Sequence, residues 1–411
     1  MMKRRNFLKK LAQVTAATSF VAADAKAFGL FTTSFWKKRP AAAAWLTQAN
    51  TIDYFGGGGL ADSPIGIGAR VCRMGNGTVG MFAGLSGNSS QVNAYVTGAA
   101  NGPFTINGSY TPAATYADSV GDQLEVECVK STVTNQYYTI WSTGNSTYGL
   151  HAAKVASNAA GTAVASAFAI GGQGAGAYPS SGPVVGIVNS SDQLLIGYFY
   201  PSALTWSLLN SSLGVTTSKV TNGSVPICYP FAGFSVGTDF YLACGRAAAD
   251  ELVIVKINSS GAYVSHSVFT LTNALAPHTG NNNRGEAMVI SSTSVALVWR
   301  SKTGKAIFAN FNPTASTFTT SAMDLGFPVS SMTAVVATKN ASNQIIVNCG
   351  QYFIMVDSVG ATVKSLLQVA SVRGGSGGIA FRQDETRLIL VETINVSPEK
   401  SGLYAREFII T

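Results

Sequence analysis

The densest group of side chains able to do chemistry is the loop from Pro277 to Glu286. It carries His278, Asn281, Asn282, Asn283, Arg284 and Glu286 immediately before an apolar run. Amide, guanidinium and carboxylate groups offer paired donors and acceptors, which is the chemistry that binds sugar hydroxyls or the backbone of a partner. The competing reading is a solvated connection between two sheets, since most loops are only connections. Trp141 and Tyr148 stand out among the aromatics of the first half, because aromatic faces stack on sugars and fill interfaces. Aromatics in strands more often serve the core.

Other chemistries lack their residues. The three histidines, His151, His266 and His278, have no partner at metal-ligand spacing, and His151 and His266 read as strand or turn residues. Cys72, Cys128, Cys228, Cys244 and Cys349 form no CxxC pair and sit in or beside apolar runs, as small buried residues do. Cys228 and Cys244 are close enough to lie on neighbouring strands, so a disulfide there is the second reading. Glycoside cleavage needs two carboxylates facing one another, and most of the 19 acids stand beside turns, as Asp192, Asp239 and Asp384 do, so no pair is nominated. Gly84-Leu85-Ser86-Gly87 lacks the spacing of a hydrolase elbow, and Gly171 to Gly176 lacks the Lys-Ser/Thr of a phosphate loop. The sequence therefore leans away from an enzyme, with no catalytic residue, metal or cofactor expected.

The elements that would position the loop are legible from one stretch, EAMVISSTSVALVWRSKTGKAIFANFNPTASTFTTSAMDL, residues 286–325. Two apolar runs, an alternating run and a polar run are joined by tight polar turns, the pattern of four short antiparallel strands. Comparable stretches start near residues 124, 184, 231, 333 and 378, about 45 to 60 apart, and 65–116 supplies one more. No long capped helix interrupts them. This spacing resembles the four-stranded blades of a β-propeller as a class, without the signature of any one propeller family. The resemblance implies an all-β fold of six or seven blades over residues 60–411. Two β-sandwiches in series, broken at Gly171 to Gly176, are the alternative, but a ring hides the strand edges that sandwiches leave open.

Charge separates the ends of the chain from its body. The net charge of +8 lies entirely before residue 40: residues 1–27 carry +5, and Lys37, Lys38 and Arg39 add +3. The remainder sums to zero, which argues against nucleic-acid binding by the body. Lys3-Arg4-Arg5-Asn6-Phe7-Leu8-Lys9 resembles the twin-arginine export motif, with Arg4, Arg5, Phe7 and Leu8 at its defining positions. An Ala/Thr/Val-rich run and Ala25-Lys26-Ala27 follow it, as before a cleavage site. Retained, the same segment reads as a basic amphipathic anchor. Residues 28–59, with Phe31, Phe35, Trp36, Lys37, Lys38 and Arg39, read as a connector suited to docking on another protein. No run is long enough for a membrane helix.

Together these features point to a non-enzymatic structural or binding component of an extracytoplasmic surface or particle. In compositional style the chain resembles phage tail-fibre proteins, which implies protein partners held through residues 1–59, a possible cell-surface glycan and homo-oligomers. The alternative is an exported glycan-binding protein, glycosidase or lyase, working outside the cytoplasm with its site at the axial channel. Acids and aromatics around the axis favour that alternative, whereas Ser, Thr and Val there favour the structural role. If the amino-terminal motif is an export signal, intact mass of the protein from its native source gives a chain starting at Phe28; a start at Met1 or Met2 rejects cleavage.

Overall fold

The computed structural model describes residues 44–53, 66–85, 91–97, 106–110, 126–142, 150–156, 163–170, 181–279, 284–328, 334–369, 372, 375–394 and 402–411. The chain divides into two units, 1–44 and 45–411. The export motif at Arg4, Arg5, Phe7 and Leu8 and the arm at Phe31, Phe35, Trp36, Lys37, Lys38 and Arg39 lie outside the described residues. Within the larger unit, the described strands form seven four-stranded antiparallel sheets. Six are built in simple sequence order, over 66–110, 126–170, 181–220, 229–270, 286–324 and 335–368. They are blades 1 to 6 of a β-propeller.

Blade 7 is assembled from both ends of this unit. Gly375–Phe381, Arg387–Ile394 and Gly402–Ile410 supply three strands, and Leu46–Asp53 pairs with Gly402–Ile410 as the fourth. The segment expected to belong to the docking connector 28–59, Leu46 to Asp53, is thus an integral strand. Its sequence, LTQANTID, alternates weakly and carries no turn signal, so only its partner makes it a strand. Trp45 and Leu46 are buried in the core between blades 6 and 7, and the Trp45 indole donates to the Ser365 carbonyl of blade 6.

The first strand of every blade packs against the first strand of the next, all the way round. These inner strands are Gly66–Arg73, Val126–Lys130, Ser181–Val188, Tyr229–Val236, Glu286–Ser291, Val335–Lys339 and Gly375–Phe381. Seven strands can converge this closely where side chains are small. A Cβ on Gly378 of blade 7, for example, would lie 2.8 Å from the Val71 methyl and 3.1 Å from the Val71 nitrogen of blade 1.

The apolar cores lie between blades. Val185, Ile187, Leu195, Trp206 and Leu208 of blade 3 face Phe240, Leu242, Val253 and Val255 of blade 4. Phe231, Phe234 and Ile254 of blade 4 face Leu297, Trp299 and Phe311 of blade 5. Second and third strands are enclosed by both neighbours and read as continuous apolar runs, as in Leu194–Phe199 and Leu204–Leu209, where every residue is buried. Fourth strands lie at the rim and are largely exposed, as in Val215–Val220 and Thr362–Gln368. That gradient accounts for the polar last run of residues 286–325, whereas the alternating third run, Ala306–Asn312, is buried up to its last residue.

The turns from first to second and from third to fourth strands are short, and four of them share one chemistry. Asn189, Asn210 and Asn258 each accept, through the side-chain oxygen, backbone N–H bonds from the residues two and four further on. Asp357 does the same. The Asn-x-Ser triplets at these three turns therefore specify turns, as Asn-Ser chemistry predicts.

Several turns also lock blade to blade. Asp192, in the first turn of blade 3, accepts from the Ser131 hydroxyl, the Thr132 amide, the Tyr138 hydroxyl and the Lys154 ammonium, all of blade 2. Burial alone would raise its pKa, but the hydrogen bonds from Lys154, Thr132, Ser131 and Tyr138 hold it below the ordinary carboxylate range. Glu385 of blade 7 likewise pairs with Arg73 of blade 1 and accepts from the Ala341 amide of blade 6.

The Asp192 cluster yields a stability prediction. Asn tolerates the left-handed backbone at this position, where φ is 58°, so Asp192→Asn removes chiefly the charge and leaves the buried Lys154 ammonium uncompensated. Chemical denaturation is expected to show a loss of about 3 kcal/mol at neutral pH. A depressed carboxylate stabilises only above its unfolded value, so the wild-type advantage fades as pH falls below ~4. An unchanged midpoint for the variant at pH 7 refutes this role.

Candidate functional site

The inner strands bring four charged side chains together across the axis. Arg70 lies in the inner strand of blade 1, Glu127 in that of blade 2, and Glu286 opens that of blade 5, with Arg284 two residues ahead. Arg70 Nε is 3.7 Å from Glu127 Oε1, and Arg70 Nη1 is 3.6 Å from Glu286 Oε1. Arg284 Nη1 is 3.6 Å from Glu127 Oε2. Arg70–Glu127 joins the neighbouring blades 1 and 2, whereas blades 1 and 5 and blades 2 and 5 are not neighbours, so Arg70–Glu286 and Arg284–Glu127 span the channel. Arg70 also donates to the Gly377 carbonyl of blade 7 at 2.9 Å, and the Cys128 amide donates to Glu127 Oε1 at 2.9 Å.

The local sequence explains how blade 5 delivers its pair. Gly285 separates Arg284 from Glu286, and its amide donates to the Phe231 carbonyl of blade 4 at 3.0 Å. A Cβ there would collide with the Val298 carbonyl oxygen and come within 2.8 Å of the Phe231 ring. Glycine lets the backbone enter the ring pressed between blades 4 and 5. The Glu286 side chain keeps 34% of its surface accessible, against 6% for Arg70, 11% for Arg284 and 19% for Glu127. It is the member of the cluster that a small molecule can best reach.

The electrostatics single out the same residue. Enclosure in the ring raises the Glu286 carboxyl to about 7; the Arg70 charge opposes that rise, Glu127 adds to it, and Arg284 opposes it again. Both protonation states are therefore populated near neutral pH. A carboxyl able to hold and release a proton there suits general acid–base work.

Of the residues singled out in the sequence, the structure places Arg284 and Glu286 in this cluster. His278 lies in the same connection, where its amide donates to the Arg300 carbonyl at 2.9 Å. Its Nδ1 is buried without a hydrogen-bond partner, and burial, followed by the Arg300 and Lys302 charges, lowers its pKa. Asn281, Asn282, Asn283 and Tyr148 lie outside the described residues. Trp141 is a correction to its candidacy as a binding aromatic: it is completely buried in the core between blades 1 and 2 and stacks on His151 at 5.3 Å. Its strand is a second strand, enclosed on both faces, so no ligand reaches it.

Arg70 and Glu127 were not foreseen. Each is an isolated charge inside an apolar strand, in GARVCRM and VECVK, and burial of such a charge without a partner is costly. That cost is the signal available in the sequence, although it does not say which strands meet. The other histidines have strand roles. His151 is buried and its pKa falls to about 4 through desolvation, while His266 bonds the Tyr263 hydroxyl at 2.8 Å. None of the five cysteines is in a disulfide; Cys72 is half-buried and the others are buried.

Among the described residues, no group of three or more His, Cys, Asp or Glu is placed to hold a metal ion, and no helix is long and apolar enough to cross a membrane.

The raised Glu286 carboxyl gives a folding prediction. A group whose pKa is higher in the folded state than in the unfolded one contributes stability that is lost as pH rises, here between ~4 and 7. Glu286→Gln removes that titration, so the fall in stability across this range, read from denaturant midpoints at several pH values, is expected to become shallower. Parallel curves for the two proteins contradict the assignment.

Comparison with known proteins places the fold and little else. No known protein family and no curated protein matches the sequence. Among solved structures, the chain is similar to a protein of unknown function from Dyadobacter fermentans, with a TM-score of 0.53 and 9% identity over 90% of this chain and 100% of that one. A protein of unknown function from Bacteroides caccae matches with a TM-score of 0.40 and 8% identity, over 66% of this chain and 83% of that one. An α-L-arabinofuranosidase from Fusarium graminearum, solved with an iminosugar inhibitor, gives a TM-score of 0.49 and 10% identity over 69% of this chain and 92% of that one. At such identities a likeness extends to the fold alone.

Proposed function

We propose that this protein acts on a saccharide at its axial channel, with Glu286 as proton donor and Glu127 as the second carboxylate of a pair that cleaves a glycosidic bond. The supporting observation is the cross-channel cluster itself: two glutamates from different blades lie within 3.6 to 3.7 Å of one guanidinium, that of Arg70. Glycoside cleavage asks for a carboxylic acid that protonates the departing oxygen and a carboxylate that acts on the anomeric centre, directly or through water. Glu286, raised to about 7 and the most accessible of the four, supplies the first group. Arg70 and Arg284 orient the carboxylates and donate to sugar hydroxyls or an acidic substituent.

A structural role in a surface or particle expects an axis lined by uncharged side chains. The charged axis therefore supports the saccharide reading over the adhesin or tail-fibre one. Release from the cytoplasm, which the amino-terminal motif implies, suits an enzyme or binding protein for polymeric sugars.

The test is a glycan microarray paired with an assay for newly released reducing ends, on wild type, Glu286→Gln and Glu127→Gln. Cleavage is expected to fall about 10²- to 10⁴-fold in Glu286→Gln while binding persists. The wild-type rate should decline as pH rises past 7, because the donor must carry its proton. Binding without turnover by wild type would reduce the role to a lectin. No binding and no turnover on any glycan class sinks the saccharide reading altogether.

A further inference from the structure

The axial cluster is flanked by a second chemical pair that the proposed reaction does not use. Cys72 lies two residues after Arg70 on the inner strand of blade 1, and Cys128 lies one residue after Glu127 on the inner strand of blade 2. Their sulfurs are 3.1 Å apart, although the residues are 56 positions apart in sequence. Closing that gap to a disulfide bond, about 2 Å long, needs a movement of about 1 Å. No strand need leave its sheet for that. Cys72 is half-buried and Cys128 buried, so an external reagent meets one sulfur first. By contrast, Cys228 and Cys244 lie together in the core between blades 3 and 4 and are both fully buried, which denies a reagent that first step.

We infer that Cys72 and Cys128 are a redox-modification site, a dithiol that a small-molecule or protein disulfide converts into a covalent staple between the inner strands of blades 1 and 2. The reaction is thiol–disulfide exchange in two displacements. The Cys72 thiolate attacks one sulfur of the external disulfide, forming a mixed disulfide and releasing one external thiolate, which takes up the proton lost by Cys72. Cys128, after losing its proton, attacks Cys72 Sγ; the new S–S bond forms as the mixed disulfide breaks and the second external thiol departs. Two protein thiols are oxidised and one external disulfide is reduced to two thiols. Burial, and then the neighbouring Cys72 thiol, push the Cys128 pKa well up; Glu127 adds to this and Arg70 opposes it. The second displacement therefore quickens with rising pH. The staple would fix blade 1 against blade 2 directly beside Arg70 and Glu127. It does not depend on what the axial cluster binds.

Oxidised glutathione is the probe. The folded, full-length protein is incubated with it at pH 8, denatured, alkylated and digested without reductant. Three alkylated cysteines in place of five, together with a Cys72–Cys128 linked peptide, are expected, and the thermal midpoint should rise by roughly 5 °C. Recovery of that peptide supports the inference whether or not Cys228 and Cys244 have also paired. The Cys128→Ser variant should stop at a glutathione adduct on Cys72, which tests the order of attack even if Cys72→Ser folds poorly. Five alkylated cysteines, or an adduct that persists on Cys72 in the wild-type protein, overturns the inference.

Discussion

Each blade of this propeller has two apolar faces and can bury neither by itself. Trp206 of blade 3 and Phe240 of blade 4, or Trp299 of blade 5 and Phe231 of blade 4, belong to cores that exist only when two blades meet. A row of such units leaves an apolar face open at each end, and only closure into a ring removes both. The pairing of Leu46–Asp53 with Gly402–Ile410 makes that closure by joining the beginning and the end of the unit in one sheet. The inner strand of blade 7 also packs against that of blade 1, so strand pairing and side-chain packing close the ring together. The polar locks at Asp192 and Glu385 then fix how neighbouring blades sit on one another.

Ring closure also creates the site. Inner strands of separate blades reach a common axis, so charges that are solitary within their own sheets become neighbours. Arg70 is buried, and Glu127, Arg284 and Glu286 are partly so, which makes each a costly charge without a partner. Together they compensate one another incompletely, with separations of 3.6 to 3.7 Å where a tight ion pair would be nearer 2.8 Å. Enclosure raises the Glu286 carboxyl, and the partial opposition of Arg70 and Arg284 leaves it at about 7. By comparison, Arg382 and Glu407 are 2.6 Å apart, and Arg406 and Glu392 are also 2.6 Å apart, both pairs in blade 7. The contrast separates tight ion pairs within one blade from looser ones that meet at the axis.

The two ends of the ring are built differently for a related reason. Four of the turns after first and third strands repeat an asparagine- or aspartate-centred design, and some turns bond across a blade boundary, as Asn189 donates to Thr238 and Gly261 accepts from the Trp206 indole. The connections leading into the inner strands include the one carrying His278, Arg284 and Glu286, and these differ from blade to blade in length and composition. A scaffold that fixes one end and varies the other is how function is ordinarily grafted onto a repeated fold.

The amino-acid sequence determined the strands, the turns and the repeat. Burial on both faces demands continuous apolar runs, rim exposure demands alternation, and asparagine with serine or glycine demands a tight turn; each is a local rule that acts over fewer than ten residues. It also marked Arg284 and Glu286, because several polar side chains stood in one loop. Only the tertiary structure decided that Leu46–Asp53 completes blade 7, since a weakly patterned strand is defined by the edge it meets. Only it could bring Arg70 and Glu127 to Glu286, or Cys72 to Cys128, across spacings of 56 residues and more. Proximity at an axis is set by the number of blades and the register of their inner strands, and no local pattern in the chain encodes either.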